Sequence, residues 1–311
     1  MNYSESVNNL FISQLNEWDL AGTNYRQLNE VRTKKISYGE YSITVQFNPG
    51  RITSSSAKVD SKSIEARPCF LCEKNRPSQQ RGLKFEDKYT ILLNPFPIFP
   101  RHLTIVSDNH IDQRIAGNFG VMLRLARALP DFVIFYNGPQ CGASAPDHLH
   151  FQAGSKGFLP IENDFVTGKA GRQRGNRNNY EVWLWKDYIR GIITIKGDNP
   201  EVLAQPFEAL HGIFAGLQPE RPEPMLNIIA SYSGGFWTIH IIPRKTHRPT
   251  QFFAEGDNKI LLSPASVDIG GVVITPREED FIKITKQDIS DIFNQVCYNG
   301  RDLSALIGKN I

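Results

Sequence analysis

Four cysteines in 311 residues are too few to build a disulfide framework in a chain of this size. No stretch of about eighteen apolar residues occurs, so nothing reads as a membrane-spanning helix. The opening MNYSESVNNLFISQLNEW lacks a basic segment followed by an apolar one and so does not read as a secretory leader. An excess of charge of one sign is lacking as well. Lys and Arg number 35 against 32 Asp and Glu, a net +3, which gives no ground for nucleic acid as a partner and leaves anionic small ligands open. These absences lead to the expectation of a soluble, cytoplasmic protein with neither nucleic acid nor membrane as its partner. The remaining composition, 40% hydrophobic and 22% charged, is enough to bury the core of one large or two modest domains.

The densest chemistry lies in His148-Leu149-His150-Phe151-Gln152, which follows Asn137 and a turn from Gly138 to Asp147. Alternate side chains of an extended strand share a face, so the two imidazoles and the amide line one surface while Leu149 and Phe151 face a core. Behind a loop carrying Gly138, Gly142 and Ser144, this pattern reads as a nucleophile with donors for a phosphate. The alternative is a polar strand that only satisfies its own hydrogen bonds, an arrangement costly to bury without purpose.

Cys69 and Cys72 form a CxxC, while Cys141 and Cys297 stand apart. A tetrahedral zinc site takes four Cys or His ligands, and His102, His110, His148 and His150 are available to complete it. A redox pair would need the CxxC to open a helix after a strand. Here Pro68 leads in from a polar stretch and Arg76-Pro77-Ser78 follows. Two inert thiols are the third reading.

Hydrophobic spacing predicts an amphipathic docking helix over residues 5–20, a strand over 41–47 ending at Asn48-Pro49-Gly50-Arg51, and a loop over the Ser-rich stretch 52–66. Strands follow at 89–93 and 103–106, separated by a Pro-punctuated loop. Ser107, Asp108 and Asn109 offer caps for a helix with Ile111, Ile115, Phe119, Met122, Leu123 and Leu129 on one face. A strand at 132–136 then precedes the glycine turn and the histidine strand, so the order predicts a mixed, largely antiparallel α+β fold. The basic segment 168–177 reads either as a solvated loop or as a lid over phosphates. From about 191 the pattern restarts, and 240–247 resembles 103–110 as a weak internal repeat. Arg244, Lys245 and His247 either face the same cleft from this second half or are ordinary surface groups, and Arg51 is open in the same way.

Together, Cys69-x-x-Cys72, Asn94, His102 and His110, Asn137 and His148-x-His150-x-Gln152 resemble the histidine-triad superfamily. A glutamine in the last place of the triad is the mark of its branch of galactose-1-phosphate uridylyltransferases, diadenosine tetraphosphate phosphorylases and GDP-L-galactose phosphorylases. The segment 148–153 looks most like the last of these. The resemblance implies an α+β fold with a mixed, largely antiparallel sheet and packed helices in two degenerate halves. Residues 1–190 would be the catalytic half and 191–311 the second. It implies a nucleotidyltransferase or phosphorylase acting on a nucleoside diphosphate sugar, GDP-hexose foremost, or on a dinucleoside polyphosphate. Phosphate or a sugar phosphate would be the second substrate and a homodimer the assembly. His150 would match the nucleophile and Gln152 the residue that bonds a non-bridging phosphoryl oxygen. Cys69, Cys72, His110 and His148 would match zinc ligands, leaving His102 a structural hydrogen bonder. Asn94, Asn137, Gly142, Ser144 and Arg51 would match substrate-binding positions. A hydrolase of the same fold, or a zinc-stabilised nucleotide-binding module without turnover, are the competing readings.

Overall fold

The structure is a computed structural model that describes residues 2–56, 59–168, 172–177, 180–185 and 187–307. Two helices, α1 (Tyr3–Glu17) and α2 (Asp19–Leu28), open the chain in place of the single predicted one. The break falls at Trp18, whose extended backbone (φ −122°) lets its buried indole pack with Ala21, Tyr25 and Leu93. Through Tyr25 the second helix reaches the sheet, its hydroxyl donating to the His102 carbonyl at 3.0 Å.

Strands β1 (Arg32–Ser37) and β2 (Ser42–Phe47) form an antiparallel pair. The predicted loop 52–66 instead holds two short helices, α3 (Ile52–Ser55) and α4 (Ser61–Glu65). The Asp60 side chain accepts from the Ser63 amide at 3.0 Å, capping α4 in a stretch whose polarity masked its local hydrogen bonding. Next come β3 (Gly82–Phe85), β4 (Tyr89–Leu93), β5 (His102–Ser107), helix α5 (Phe119–Ala128), β6 (Phe132–Asn137) and β7 (His150–Ser155). Helix α6 (Pro160–Val166), β8 (Arg172–Arg177), β9 (Tyr180–Leu184), β10 (Ile193–Gly197) and α7 (Pro200–Leu217) lead to β11 (Leu226–Ser233), β12 (Phe236–Pro243) and β13 (Val272–Thr275).

Ten strands join in the order β3-β4-β5-β7-β6-β11-β12-β10-β9-β8, antiparallel at every pairing, while β13 adds in parallel to the β1–β2 pair. This is the α+β architecture with a large antiparallel sheet that the element order predicts. β4 and β6 are buried along their whole length, because both faces of the sheet are covered and neither side of the pleat can be polar without a partner. One face carries Ile105, Ile134, Leu149 and Phe151 into a core with α5 and α7. The other carries Val133, Phe135, Ile229 and Ile242 into a second core with β2, β13 and the helix Lys286–Val296.

Two predicted boundaries differ. The helix expected from caps at 107–109 begins only at Phe119, because Asp108 is bonded to Lys84 Nζ (2.8 Å), the Ile111 carbonyl accepts from Leu149 N (2.7 Å), and Gly117 has φ +75°. β7 starts at His150, and His148 closes the preceding turn, its amide donating to the Ala145 carbonyl. Of the basic segment 168–177, residues 172–177 form edge strand β8 rather than a loop, and 169–171 lie outside the described residues.

Candidate active site and metal centre

The CxxC turn, the irregular stretch after β5 and the end of the glycine turn meet at one end of the sheet. There Cys69 Sγ lies 3.3 Å from His148 Nδ1, and Cys72 Sγ lies 3.2 Å from His110 Nδ1 and 3.6 Å from His148 Nδ1. One ligand atom from each of the four residues falls within 4.8 Å of every other. His148 Nε2 is 2.8 Å from the Ser107 carbonyl, which can only accept, so Nε2 carries the proton and Nδ1 turns its lone pair to the sulfurs. That is how a ligating histidine is oriented by its second nitrogen. His110 Nε2 lies 3.8 Å from Asp147 Oδ2, near the carboxylate but beyond hydrogen-bond distance. Burial opposes ionisation of Cys69, but the His148 contact and the amides of Leu71 and Cys72 outweigh it and pull the thiol down to about 6. Two thiols and two imidazoles so placed can hold a tetrahedral divalent metal. Cys141 and Cys297 are buried, burial raises both thiols, and neither joins the cluster.

Along β7 the sheet face continues to His150, which is 5% exposed. Its Nδ1 is 2.8 Å from the His148 carbonyl, so here, opposite to His148, Nδ1 is the protonated nitrogen and Nε2 presents its lone pair. Burial holds this imidazole down at about 4, so it is neutral near pH 7. Gln152, two residues on, shares the face. His102 reaches it from β5, with Nε2 3.0 Å from Gln152 Oε1, while the Ile98 amide donates to His102 Nδ1 at 3.2 Å. His102 is thus no part of the metal cluster.

The other expected residues are placed as follows. Asn137 ends β6, and its Oδ1 accepts from Asn227 Nδ2 (2.9 Å) and Ser266 N (2.8 Å). Gly142 has φ +94°, and a Cβ there would stand 2.5 Å from the Ala265 Cβ, so glycine is required by both backbone and neighbour. Ser144 gives its carbonyl to Arg67 Nη2 at 3.3 Å. Asn94 is tied into its own loop, donating to Thr104 Oγ1 (3.1 Å) and accepting from Phe96 N (3.0 Å). Arg51 donates to the Phe96 carbonyl at 2.7 Å, and its charge bears on His102. A cavity of about 580 Å³, with Asn24, Phe47, Asn48, Gly50, Phe96 and Pro97 in its wall, adjoins this Arg51 and Phe96 side and leaves His150 and Gln152 outside it.

Arg244, one of the groups considered for the cleft, is instead wholly buried, because its guanidinium is consumed by five acceptors. Nε donates to the Val296 carbonyl, Nη1 to Asn227 Oδ1 and the Pro264 carbonyl, and Nη2 to the carbonyls of Thr246 and His247. Sequence reasoning missed Asn227 and Ser266, which brace Asn137 from distant segments. It also missed Gln113, which bonds the main chain of His150, and Arg67, which bonds Asp147 Oδ1 at 3.1 Å. Only Arg67 carried a local signal, two residues before the CxxC.

A family model described as a domain of unknown function, DUF4922, matches residues 10–155, which contain every residue of the HxHxQ strand and the metal cluster. The galactose-1-phosphate uridylyltransferase of Staphylococcus saprophyticus is 28% identical over 152 residues, covering 43% of this chain and 30% of that protein. Diadenosine tetraphosphate phosphorylase 2 of Saccharomyces cerevisiae is 28% identical over 141 residues, covering 40% of this chain and 43% of that protein. The matched part therefore spans less than half the length of either curated relative. The crystal structure of yeast Ap4A phosphorylase in complex with Ap4A superposes with a TM-score of 0.64 at 16% identity, over 96% of this chain and 98% of that one. The fold is thus that of the phosphorylase, and the relatives lie in the branch that the motif resembles.

Proposed function

We propose that this protein is a nucleotidyltransferase or phosphorylase that cleaves a nucleoside 5′-phosphoanhydride through a covalent adduct on His150. The observation that carries the reading is the bond from His150 Nδ1 to the His148 carbonyl, which leaves a neutral Nε2 lone pair on the same face as Gln152. In the first step Nε2 bonds the α-phosphorus, and the anhydride P–O bond breaks with its electron pair leaving on the sugar phosphate or polyphosphate. The imidazole of the adduct then carries a positive charge, which the His148 carbonyl stabilises through Nδ1–H. In the second step an oxygen of phosphate or sugar phosphate attacks phosphorus and His150 departs neutral. Gln152 offers its amide to the phosphoryl oxygens, where charge accumulates.

The class of substrate follows the names of the relatives: a nucleoside diphosphate sugar or a dinucleoside polyphosphate, with uridine and adenosine tested beside guanosine. Cys69, Cys72, His110 and His148 would hold zinc, which at such a closed four-ligand site supplies structure. The chain's own residues do the rest: the cluster anchors His148, whose carbonyl orients the nucleophile. We also keep as a proposal the division into a catalytic half, 1–190, and a degenerate second half, 191–311. Strands β4 to β7 flank the motif, and β10 to β12 carry no second copy of it.

Incubation with UDP-, ADP- and GDP-sugars and Ap4A labelled at the α-phosphate, without acceptor, should leave acid-labile, base-stable label on the denatured protein. His150→Ala should abolish label and turnover while the chain stays folded. Label retained in His150→Ala would exclude the adduct. Label released equally well without phosphate would favour a hydrolase, and binding without label would leave the nucleotide-binding module.

A further inference from the structure

Antiparallel β6 and β7 are paired from Phe132↔Ser155 to Phe135↔Gln152, and two residues further along the same register would set Asn137 against His150. The strands part before that pair is made. The gap opens where the glycine turn leaves β6, and it strips the nucleophile's own amide and carbonyl of their ladder partners inside the protein, where an unpaired peptide group is costly. A side chain fills the place of the missing strand. Gln113 Oε1 accepts from His150 N at 2.7 Å, and Gln113 Nε2 donates to the His150 carbonyl at 3.0 Å and to the Asn137 carbonyl at 2.9 Å. The amide is fully buried, and its acceptor and both its donors are used.

The segment that carries it is anchored on both sides. Gln113 N donates to the Pro146 carbonyl, and the Ile111 carbonyl accepts from Leu149 N. His110, three residues earlier, is in the metal cluster. The stretch 110–113 therefore runs from the metal centre to the nucleophile's backbone, and only a side chain with a peptide-like donor and acceptor set can end it there. Glutamate has the acceptors but no donor for two carbonyls, and methionine has the shape with neither.

We propose that Gln113 is the positioning residue of the nucleophile: by spanning the parted strands it fixes the main chain of His150, and with it the Nδ1 bond to His148 that aims Nε2. This rests on the reading of His150 as nucleophile given above. A positional error of about 1 Å at a reacting group costs on the order of 100-fold, so the effect belongs in the chemical step rather than in nucleotide binding.

The test uses the full metal-loaded chain with Gln113→Met, Gln113→Glu and Gln113→Asn, the last keeping the amide but one methylene short of spanning the gap. In each variant that retains bound metal and a cooperative melt, single-turnover formation of the His150 adduct should fall about 10- to 100-fold. The dissociation constant of the corresponding nucleoside monophosphate should stay within about threefold. Nitrogen-15 spectra of histidine-labelled protein give a readout that needs no activity. Wild-type His150 should show one tautomer, protonated at Nδ1, and the variants a mixture of two. Folded variants with the wild-type rate and a single tautomer would overturn the proposal, as would failure of all three to fold, which makes the residue merely structural. If wild-type protein takes no label at all, the enzymatic reading fails, and the tautomer comparison still decides whether Gln113 orients His150.

Discussion

His102 Nε2 sits 3.0 Å from Gln152 Oε1, and the direction of that bond is settled four residues upstream. The Ile98 amide donates to His102 Nδ1, so the proton of this neutral ring is on Nε2 and goes to the glutamine oxygen. Gln152 Oε1 is thereby committed to His102, which leaves the NH2 as the end of the amide that donates elsewhere. Burial, with the Arg51 charge adding to it, holds His102 down at about 3, so the arrangement persists throughout the ordinary pH range. Gln152→Ala should slow turnover by about 10²–10³, the usual cost of one lost transition-state donor. His102→Phe should slow it by about tenfold. The double variant should be no slower than Gln152→Ala, because both changes remove one interaction. Steady-state rates of the four proteins decide this, and strictly multiplicative losses would show that His102 acts elsewhere.

Protein purified without chelator or affinity tag should contain one equivalent of zinc per chain by elemental analysis. Structural zinc contributes roughly 10–16 kcal/mol in small peptides, and even a fraction of that should lower the melting temperature visibly on removal. Cys69→Ser should lose the metal and melt lower. Less than half an equivalent, or an apo protein with unchanged melting, would count against the centre.

Arg244→Met should cost about 3–5 kcal/mol in urea unfolding, since it leaves buried carbonyls and Asn227 Oδ1 without their donor. Because Asn227 also braces Asn137, turnover should drop in the fraction that remains folded. A loss below about 1 kcal/mol would mean that other groups or water replace the guanidinium.

Gly142→Ala should destabilise by about 1–3 kcal/mol, since φ +94° strains any residue with a Cβ and Ala265 occupies the space. Gly157→Ala, also at positive φ (+80°) but with nothing within 4 Å of the added Cβ, should show the backbone cost alone. Equal losses at the two positions would remove the argument from close packing against 263–266.

His240 is buried between Trp185 and Phe165 with its pKa lowered by burial to about 3. Trp185 Nε1 donates to Thr194 Oγ1, which leaves the threonine proton for His240 Nδ1. Unfolded, this ring takes up a proton near its ordinary value of 6.5, so its contribution is complete above that pH and is lost as pH falls toward 3. Urea midpoints should therefore decline between about pH 6.5 and pH 4, and His240→Gln should show a shallower slope than wild type over that window. An unchanged slope would mean that the ring is already protonated in the folded protein.

The sequence by itself determined the chemistry of the strand: period two puts His150 and Gln152 on one face and Leu149 and Phe151 on the other, and no tertiary contact is needed for that. It also determined the antiparallel core, because β4, β5 and β6 are apolar runs bounded by turn residues, and it offered a CxxC with four histidines as possible ligands, of which the family resemblance implied, and the fold brings together, His110 and His148. The break at Trp18 and the helices within 52–66 were hidden, since helical periodicity does not register a single extended residue and short capped turns have too few residues to show a period. What only the tertiary structure decided is how the site is held. Gln113, Asn227, Ser266 and Arg244 each brace a group far along the chain, up to 129 positions away, in segments whose local pattern gives no reason for them. A buried polar group is chosen by the unpaired donor or acceptor it meets across space, and that partner exists only once the strands have parted and the chain has folded back upon them.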